Sequence, residues 1–220
     1  MIEYIDFYKH FLVEVHSNKP KVYDKIHTSK NVLSFDYTNI DEDESIDDIC
    51  NIQQHTSNIA NNNSLYVTVK DKNTNAILAV STITIKSNNL NVDKIYPETN
   101  FDSGNLPSEN IAELTDVFLY SKLIKELSTE KHKGSTYILY GMFSEVCKIC
   151  IKQNIDHLIL VMSESMKTDM LKNDFNFVKC GRCITKNEIK FYPYVMYIKY
   201  VLLNLNADNF INYQYIKSSL

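Results

Sequence analysis

Two groups of residues in this chain have the types and spacing to do chemistry. The first is an ordered set: Ala112-Glu113-Leu114-Thr115-Asp116-Val117-Phe118-Leu119, then Lys131-His132-Lys133-Gly134-Ser135-Thr136, then His157-Leu158-Ile159-Leu160-Val161-Met162. A phosphate or pyrophosphate needs several N–H donors pointing one way. A helix N-terminus supplies them, together with the positive end of its dipole. Gly134 is one of four glycines and stands immediately before an apolar helical run. It lets the backbone come close to an anion, and Lys131, His132 and Lys133 bring positive charge beside it. The plainer reading is that Gly134 ends a loop and Ser135 or Thr136 caps the helix. The second group is Cys147-x-x-Cys150 and Cys180-x-x-Cys183. Two such pairs are a zinc-ligand pattern, and Cys-Gly-Arg-Cys also has a thiol-redox reading. Against both, the first pair falls in mid-helix on an apolar face, where free cysteine behaves as a small hydrophobe. The second falls on an expected strand, where positions i and i+3 point to opposite faces.

The elements that must position these residues follow from periodicity. Residues 2–16 read as a helix, with Ile5, Tyr8, Phe11, Leu12 and Val15 near 3.6 spacing. Val22, Ile26 and Leu33 fit a second helix. Residues 41–48 hold six carboxylates, and 53–63 form a polar, Asn-rich loop. Residues 64–71 alternate, with Leu65, Val67 and Val69 on one face. Asn73-Thr74-Asn75 is a turn, and Ile77, Ala79, Ser81, Ile83 and Ile85 share the face of the next strand, giving a β-hairpin. Residues 87–110 read as a long surface loop, a kind often functional. Then come a strand over 111–120, an irregular basic stretch over 121–133 and a helix over 135–153. That helix has an apolar stripe of Leu139, Met142, Phe143, Val146, Ile149 and Cys150, set against Glu145, Lys148 and Lys152. A buried strand over 157–162, a short helix over 164–173 and strands over Phe177–Cys183 and Glu188–Leu202 complete an α/β order with an antiparallel start and finish.

Composition narrows the function classes. At 220 residues, 44% hydrophobic, the chain suits one domain with a real core. A net charge of −4 argues against a general nucleic-acid binder. The start, Met1-Ile2-Glu3-Tyr4-Ile5-Asp6, carries acids where a signal peptide has a basic region. No apolar run reaches the roughly 20 residues that span a bilayer. Five cysteines without a secretory signal point to reduced thiols and a cytoplasmic location. The acidic segment lacks the glycine and terminal glutamate of a calcium loop and reads as solvated, or as a recognition element for a cationic amine. His132 and His157 read as solvated loop or strand-end residues. Lys122, Lys125, Lys131, Lys133, Lys148 and Lys152 offer a basic face to an acidic carrier protein, or are ordinary exposed lysines.

Taken together, the three pieces resemble the GNAT acyltransferase superfamily, whose carrier loop reads Gln/Arg-x-x-Gly-x-Gly/Ala. Lys131-x-x-Gly134-x-Thr136 is a degenerate copy. The chain resembles most the branch of acyl-homoserine-lactone synthases and N-acyl amino acid synthases, through the Glu113-Leu114-Thr115-Asp116 strand, Phe175–Gly181, Pro193-Tyr194 and the Pro97 loop. The likeness spans residues 60–200. It implies a single GNAT-like α+β domain with an N-terminal helical part (1–60), a core (61–200) and a C-terminal extension (201–220). Its twisted mixed sheet is flanked by helices, and two central strands splay apart around an acyl-pantetheine arm. The resemblance implies that Val117, Phe118 and Leu119 hydrogen-bond that arm, and that Lys131, Lys133, Gly134, Ser135 and Thr136 receive its phosphate. Leu158–Met162 would be the second splayed strand. Glu113 would take the proton of an attacking amine, with Thr115 beside it, and backbone N–H groups would hold the oxyanion. The implied co-substrate is an acyl-CoA or acyl-phosphopantetheine thioester with no metal, and the implied partners are acyl carrier protein and a small-molecule amine. Asp116 stands where the branch has arginine, and the N-terminal arginine and tryptophan of lactone synthases have no counterpart, Tyr23, Phe35 and Tyr37 being the nearby aromatics. An acceptor other than the lactone precursor follows. The other readings are a GNAT fold without catalysis that serves as a binding module, and a zinc protein using the four paired cysteines.

Overall fold

In the computed structural model of the chain, the described residues are 4–21, 64–85, 100, 101, 106, 110–120, 124, 135–171, 175–186 and 188–204. Expectations for residues 22–63 lie outside them, as do most of 87–110 and 121–134. The order is α1 (Tyr4–His10), β1 (Phe11–His16), β2 (Ser64–Asp71), β3 (Ile77–Ile85), β4 (Ile111–Leu119), α2 (Ser135–Lys152), β5 (His157–Ser163), α3 (Glu164–Leu171), β6 (Val178–Lys179), β7 (Ile184–Lys186), β8 (Ile189–Tyr197) and α4 (Ile198–Asn204). Among the described residues these strands make one eight-stranded mixed sheet in the order β1-β2-β3-β4-β5-β8-β6, with β7 also on β8. All pairs are antiparallel except β4 with β5. It is an α+β fold with helices beside a mixed sheet, as expected.

The expected hairpin is present. The Asp71 carboxylate accepts from the Asn73 and Thr74 amides at 3.0 and 2.8 Å. Asn75 takes the left-handed conformation, with φ of 58°, which asparagine tolerates. The helix expected over 2–16 is instead a short helix followed by a strand. Phe11, Val13 and Val15 lie two residues apart, and Val13 and Val15 pair with Val69 and Val67. Two β-branched residues in alternation on a sheet edge outweigh a helical period that also fits.

α2 packs its stripe as expected: Leu139, Met142, Phe143, Val146, Ile149 and Cys150 are all buried. Phe7 and Phe11 lie against Tyr137, with ring centroids 5.5 and 6.0 Å apart. This puts α2 on the sheet face that carries Phe11, Val67 and Val69. The polar side of α2 departs from expectation. Lys148 is 3% exposed, bonded to Glu145 at 3.0 Å and lying 5.2 Å from the Tyr8 ring centre. Lys148 therefore belongs to a buried polar contact with α1 and not to a basic surface.

The C-terminal end also differs. The strand expected over Phe177–Cys183 shrinks to Val178–Lys179, because the chain bends at Gly181 before β7 begins. The strand expected over Glu188–Leu202 ends at Tyr197, where α4 starts. The Ile198 amide donates to the Asp156 carbonyl at 3.0 Å. Ile198 and Val201, one helical turn apart, are both buried. Among the described residues no helix is long and apolar enough to cross a membrane.

Candidate active site

The site begins with how β4 is paired. On one side it runs antiparallel to β3, with Thr84 opposite Glu113, Ile83 opposite Leu114 and Thr82 opposite Thr115. The register then slips, so that Val80 faces Phe118 and Ala79 faces Leu119. The extra residue sits at Asp116–Val117, a β-bulge, which bends a strand and raises its twist. On the other side β4 runs parallel to β5 through three pairs, Ile111 with His157, Ala112 with Leu158 and Glu113 with Ile159, and there the pairing stops. Beyond it β5 stays with β8, Leu160 against Tyr194 through Ser163 against Phe191. The two central strands therefore part after Glu113, as expected of splayed strands. Buried N–H and C=O groups seek partners, so the β5-facing edge of β4 can serve an extended ligand. Val117 and Phe118 are buried and Leu119 half-buried along this stretch.

The link from β4 to β5 locates the open end. β4 runs toward the gap, α2 brings the chain back, and the Asp156 amide donates to the Asn110 carbonyl at 2.8 Å where β5 re-enters. The crossover thus puts the N-terminus of α2 at the parted end of the strands. α2 begins at Ser135, and its first turn carries no acid. Lys131, Lys133 and Gly134 lie outside the described residues, as does His132. Ser135 and Thr136 form the first turn, and their side chains are outside the description.

Glu113 sits where the strands part. It is no surface carboxylate: only 3% of it is exposed. Side chains alternate along a strand and directly paired residues share a face. Glu113, Thr84, Thr82, Thr115 and Thr68 therefore lie on the face opposite α2. Thr68, Thr82 and Thr84 are buried and Thr115 is half-buried. The polar side chains continue to the sheet edge. Thr68 Oγ1 shares a hydrogen bond with His16 Nε2 at 3.1 Å, Thr84 Oγ1 lies 3.3 Å from Ser64 Oγ, and Glu14 holds Lys70 at 2.7 Å and His16 at 3.3 Å. The apolar half of the hairpin's alternation predicts its buried face; the other half, Thr68 with Lys70 and Thr82 with Thr84, is equally visible in the sequence and marks this polar face.

The remaining candidates resolve individually. His157 is buried rather than solvated. Its ring meets Tyr197 edge-on with centroids 5.0 Å apart, and burial lowers its pKa, which keeps it neutral. Pro193 and Tyr194 lie in β8 opposite Val161 and Leu160, and burial raises the Tyr194 hydroxyl pKa. Cys147 and Cys150 are buried in α2. Burial pushes Cys150 up to about 12 and Cys147 well above the ordinary thiol range. Cys180 and Cys183 sit in the bend between β6 and β7, not on a strand. Among the described residues no three His, Cys, Asp or Glu side chains gather as metal ligands.

No protein-family model matches the chain, and no curated protein matches it in sequence. Solved structures do. The chain is similar to FeeM, an N-acyl amino acid synthase from uncultured soil microbes, with a TM-score of 0.62 and 11% identity over 91% of this chain and 98% of that one. It is similar to the AHL synthase LasI, with a TM-score of 0.61 and 12% identity over 90% and 95% of the two chains. It is also similar to TofI in a ternary complex with an inhibitor and MTA, with a TM-score of 0.56 and 13% identity over 91% and 99%. The chain shares the fold of these proteins, a mixed sheet that in this chain opens between its two central strands.

Proposed function

We propose that the protein is an N-acyltransferase of a single GNAT-like domain, which moves an acyl group from a carrier thioester to an amine. The observation that carries this reading is the parting of β4 and β5 immediately after the Glu113–Ile159 pair, with the Glu113 carboxylate buried at that point. The similar structures include synthases of N-acyl amino acids and AHL by their own names, which supports the same class of chemistry. The carrier is acyl carrier protein or coenzyme A. Its pantetheine arm lies along Val117, Phe118 and Leu119, and its phosphate rests on Lys131, Lys133, Gly134, Ser135 and Thr136 at the start of α2. A cytoplasmic protein with reduced thiols fits this partner.

In the reaction the amine nitrogen attacks the thioester carbonyl carbon. The C–N bond forms, and backbone N–H groups on the open edge of β4 hold the oxyanion. The C–S bond then breaks and its electron pair leaves on sulfur. Glu113 takes the amine proton directly or through a water and passes it to the thiolate, which leaves as the free thiol with the carboxylate restored, and Thr115, two residues along the same face, orients the amine. Glu113→Gln keeps the size of the side chain and removes the base. It lowers kcat for thiol release by about 10²- to 10⁴-fold with carrier affinity unchanged. An unaltered kcat would discard Glu113 as the base.

A further inference from the structure

The bend between β6 and β7 carries two thiols that the proposed chemistry does not use. Cys180 is half-buried and Cys183 is exposed. A straight strand over Phe177–Cys183 would set them on opposite faces. The pairing with β8 shows how far the chain departs from that. Val178 pairs with Val195 and Lys179 with Tyr194, and the Cys180 amide continues this register by donating to the Pro193 carbonyl at 3.0 Å. β7 then resumes with Ile184 opposite Phe191. From Cys180 to Ile184 the chain takes four steps where β8 takes two, from Pro193 to Phe191. Two steps of a strand cover roughly 6–7 Å, and four cover about 13 Å. Gly181, Arg182 and Cys183 therefore loop out. A disulfide needs Cα atoms about 4.4–6.8 Å apart. The two strands hold Cys180 and Ile184 near that spacing, and Cys183 adjoins Ile184.

Both thiols also border one cluster of side chains. Burial is the main cause that raises the Tyr194 hydroxyl pKa, and Cys180 is among the charges that add to it. The Lys179 pKa is raised chiefly by its bond to Glu164, and Cys183 adds to that. Tyr192 joins the two groups, with its ring centre 3.3 Å from Lys179 Nζ and 6.3 Å from that of Tyr194. Lys179 in turn pairs with Glu164, the first residue of α3, which follows directly on β5.

We propose that Cys180 and Cys183 are a redox-modification site, which closes reversibly into an intrachain disulfide across the β6–β7 bend when the protein meets a small-molecule disulfide. Cys183, the exposed thiol, reacts first. As thiolate it attacks one sulfur of glutathione disulfide, forms a mixed disulfide and releases one glutathione thiol. Cys180, whose thiol burial pushes up to about 12, is the resolving partner. It gives up its proton, attacks the Cys183 sulfur and releases the second glutathione thiol. The two protein thiols are oxidised by two electrons, and glutathione disulfide is reduced to two thiols. The closed bond fixes the bend beside Lys179, and so the tie from β6 to the end of β5.

The test takes the full-length protein through glutathione buffers from reduced to oxidised, blocks the remaining thiols and maps the cysteines by mass spectrometry. The wild-type protein gives a Cys180–Cys183 linked peptide, lost again on adding dithiothreitol. Cys180→Ser stops at a glutathione adduct on Cys183, and Cys183→Ser gives no linked peptide. Each readout is a covalent mass, so a change in stability of a variant does not imitate it. A wild-type protein that stops at the glutathione adduct, links either residue to another cysteine instead, or keeps both thiols free overturns the proposal.

Discussion

At the scale of single residues, burial decides which side chains are available for chemistry. The two Cys-x-x-Cys pairs have the same spacing and opposite environments. Cys147 and Cys150 are sealed within α2, and burial holds both thiols protonated. Cys180 is half-buried and pushed up to about 12 by the same cause, while Cys183 is exposed. The thiolate is the reactive form. Titration of the native protein with a disulfide reagent near pH 8 therefore loses a fast-reacting thiol in Cys183→Ser and none in Cys147→Ser or Cys150→Ser. A fast thiol lost with Cys150 would contradict the buried placement. Glu113 is the reverse case, a buried carboxylate on a polar face shared with Thr82, Thr84 and Thr115. Burial of an ionisable group is costly and is a feature of sites whose chemistry needs it.

At the scale of elements, the molecule depends on α2 lying close to α1. Gly141 makes this approach possible: a Cβ built there overlaps the ring of Phe7, which is 1% exposed. Gly141→Ala is expected to destabilise the protein by about 1–3 kcal/mol through overpacking. The loss shrinks when Phe7→Leu is present, because the smaller side chain makes room. Urea unfolding of the two single variants and the double variant checks this coupling, and equal losses in both backgrounds would refute it. The elements also differ in how readily the sequence reveals them. β2 and β3 were legible because Leu65, Val67 and Val69 alternate with polar residues and a turn divides them. β1 was not, since Phe11, Leu12 and Val15 satisfy a helical period as well as a strand, and only pairing with β2 decides. The end of β8 was not, since Tyr194–Leu205 is apolar without a clear period and the switch to helix at Ile198 accompanies a bond to Asp156, far away in sequence. In the proposed site, Glu113 and Thr115 come from a resemblance; what the sequence alone does not reveal is that the Glu113 carboxylate is buried, 3% exposed, at the point where β4 and β5 part.

At the scale of the whole molecule, one topological event organises the rest. A parallel pair inside an otherwise antiparallel sheet requires a crossover, and the crossover is α2. The pair opens after three residues, a bulge bends β4 as it opens, and the start of α2 lies at the open end. In the proposed reaction an extended thioester arm pairs with that strand edge, its phosphate meets the helix N-terminus, and its reacting carbon lies beside Glu113. Acyl transfer to an amine is proposed to occur at this opening. Its most direct test is mass spectrometry of a reaction containing the full-length protein, an acyl thioester of acyl carrier protein or coenzyme A, and a mixture of amines. The expected products are an N-acyl amide and free carrier thiol in equal amount, both lost in Gly134→Glu, which sets a carboxylate at the proposed phosphate position. A thioester that stays intact in the presence of the amines, or that is lost only to hydrolysis, would contradict it.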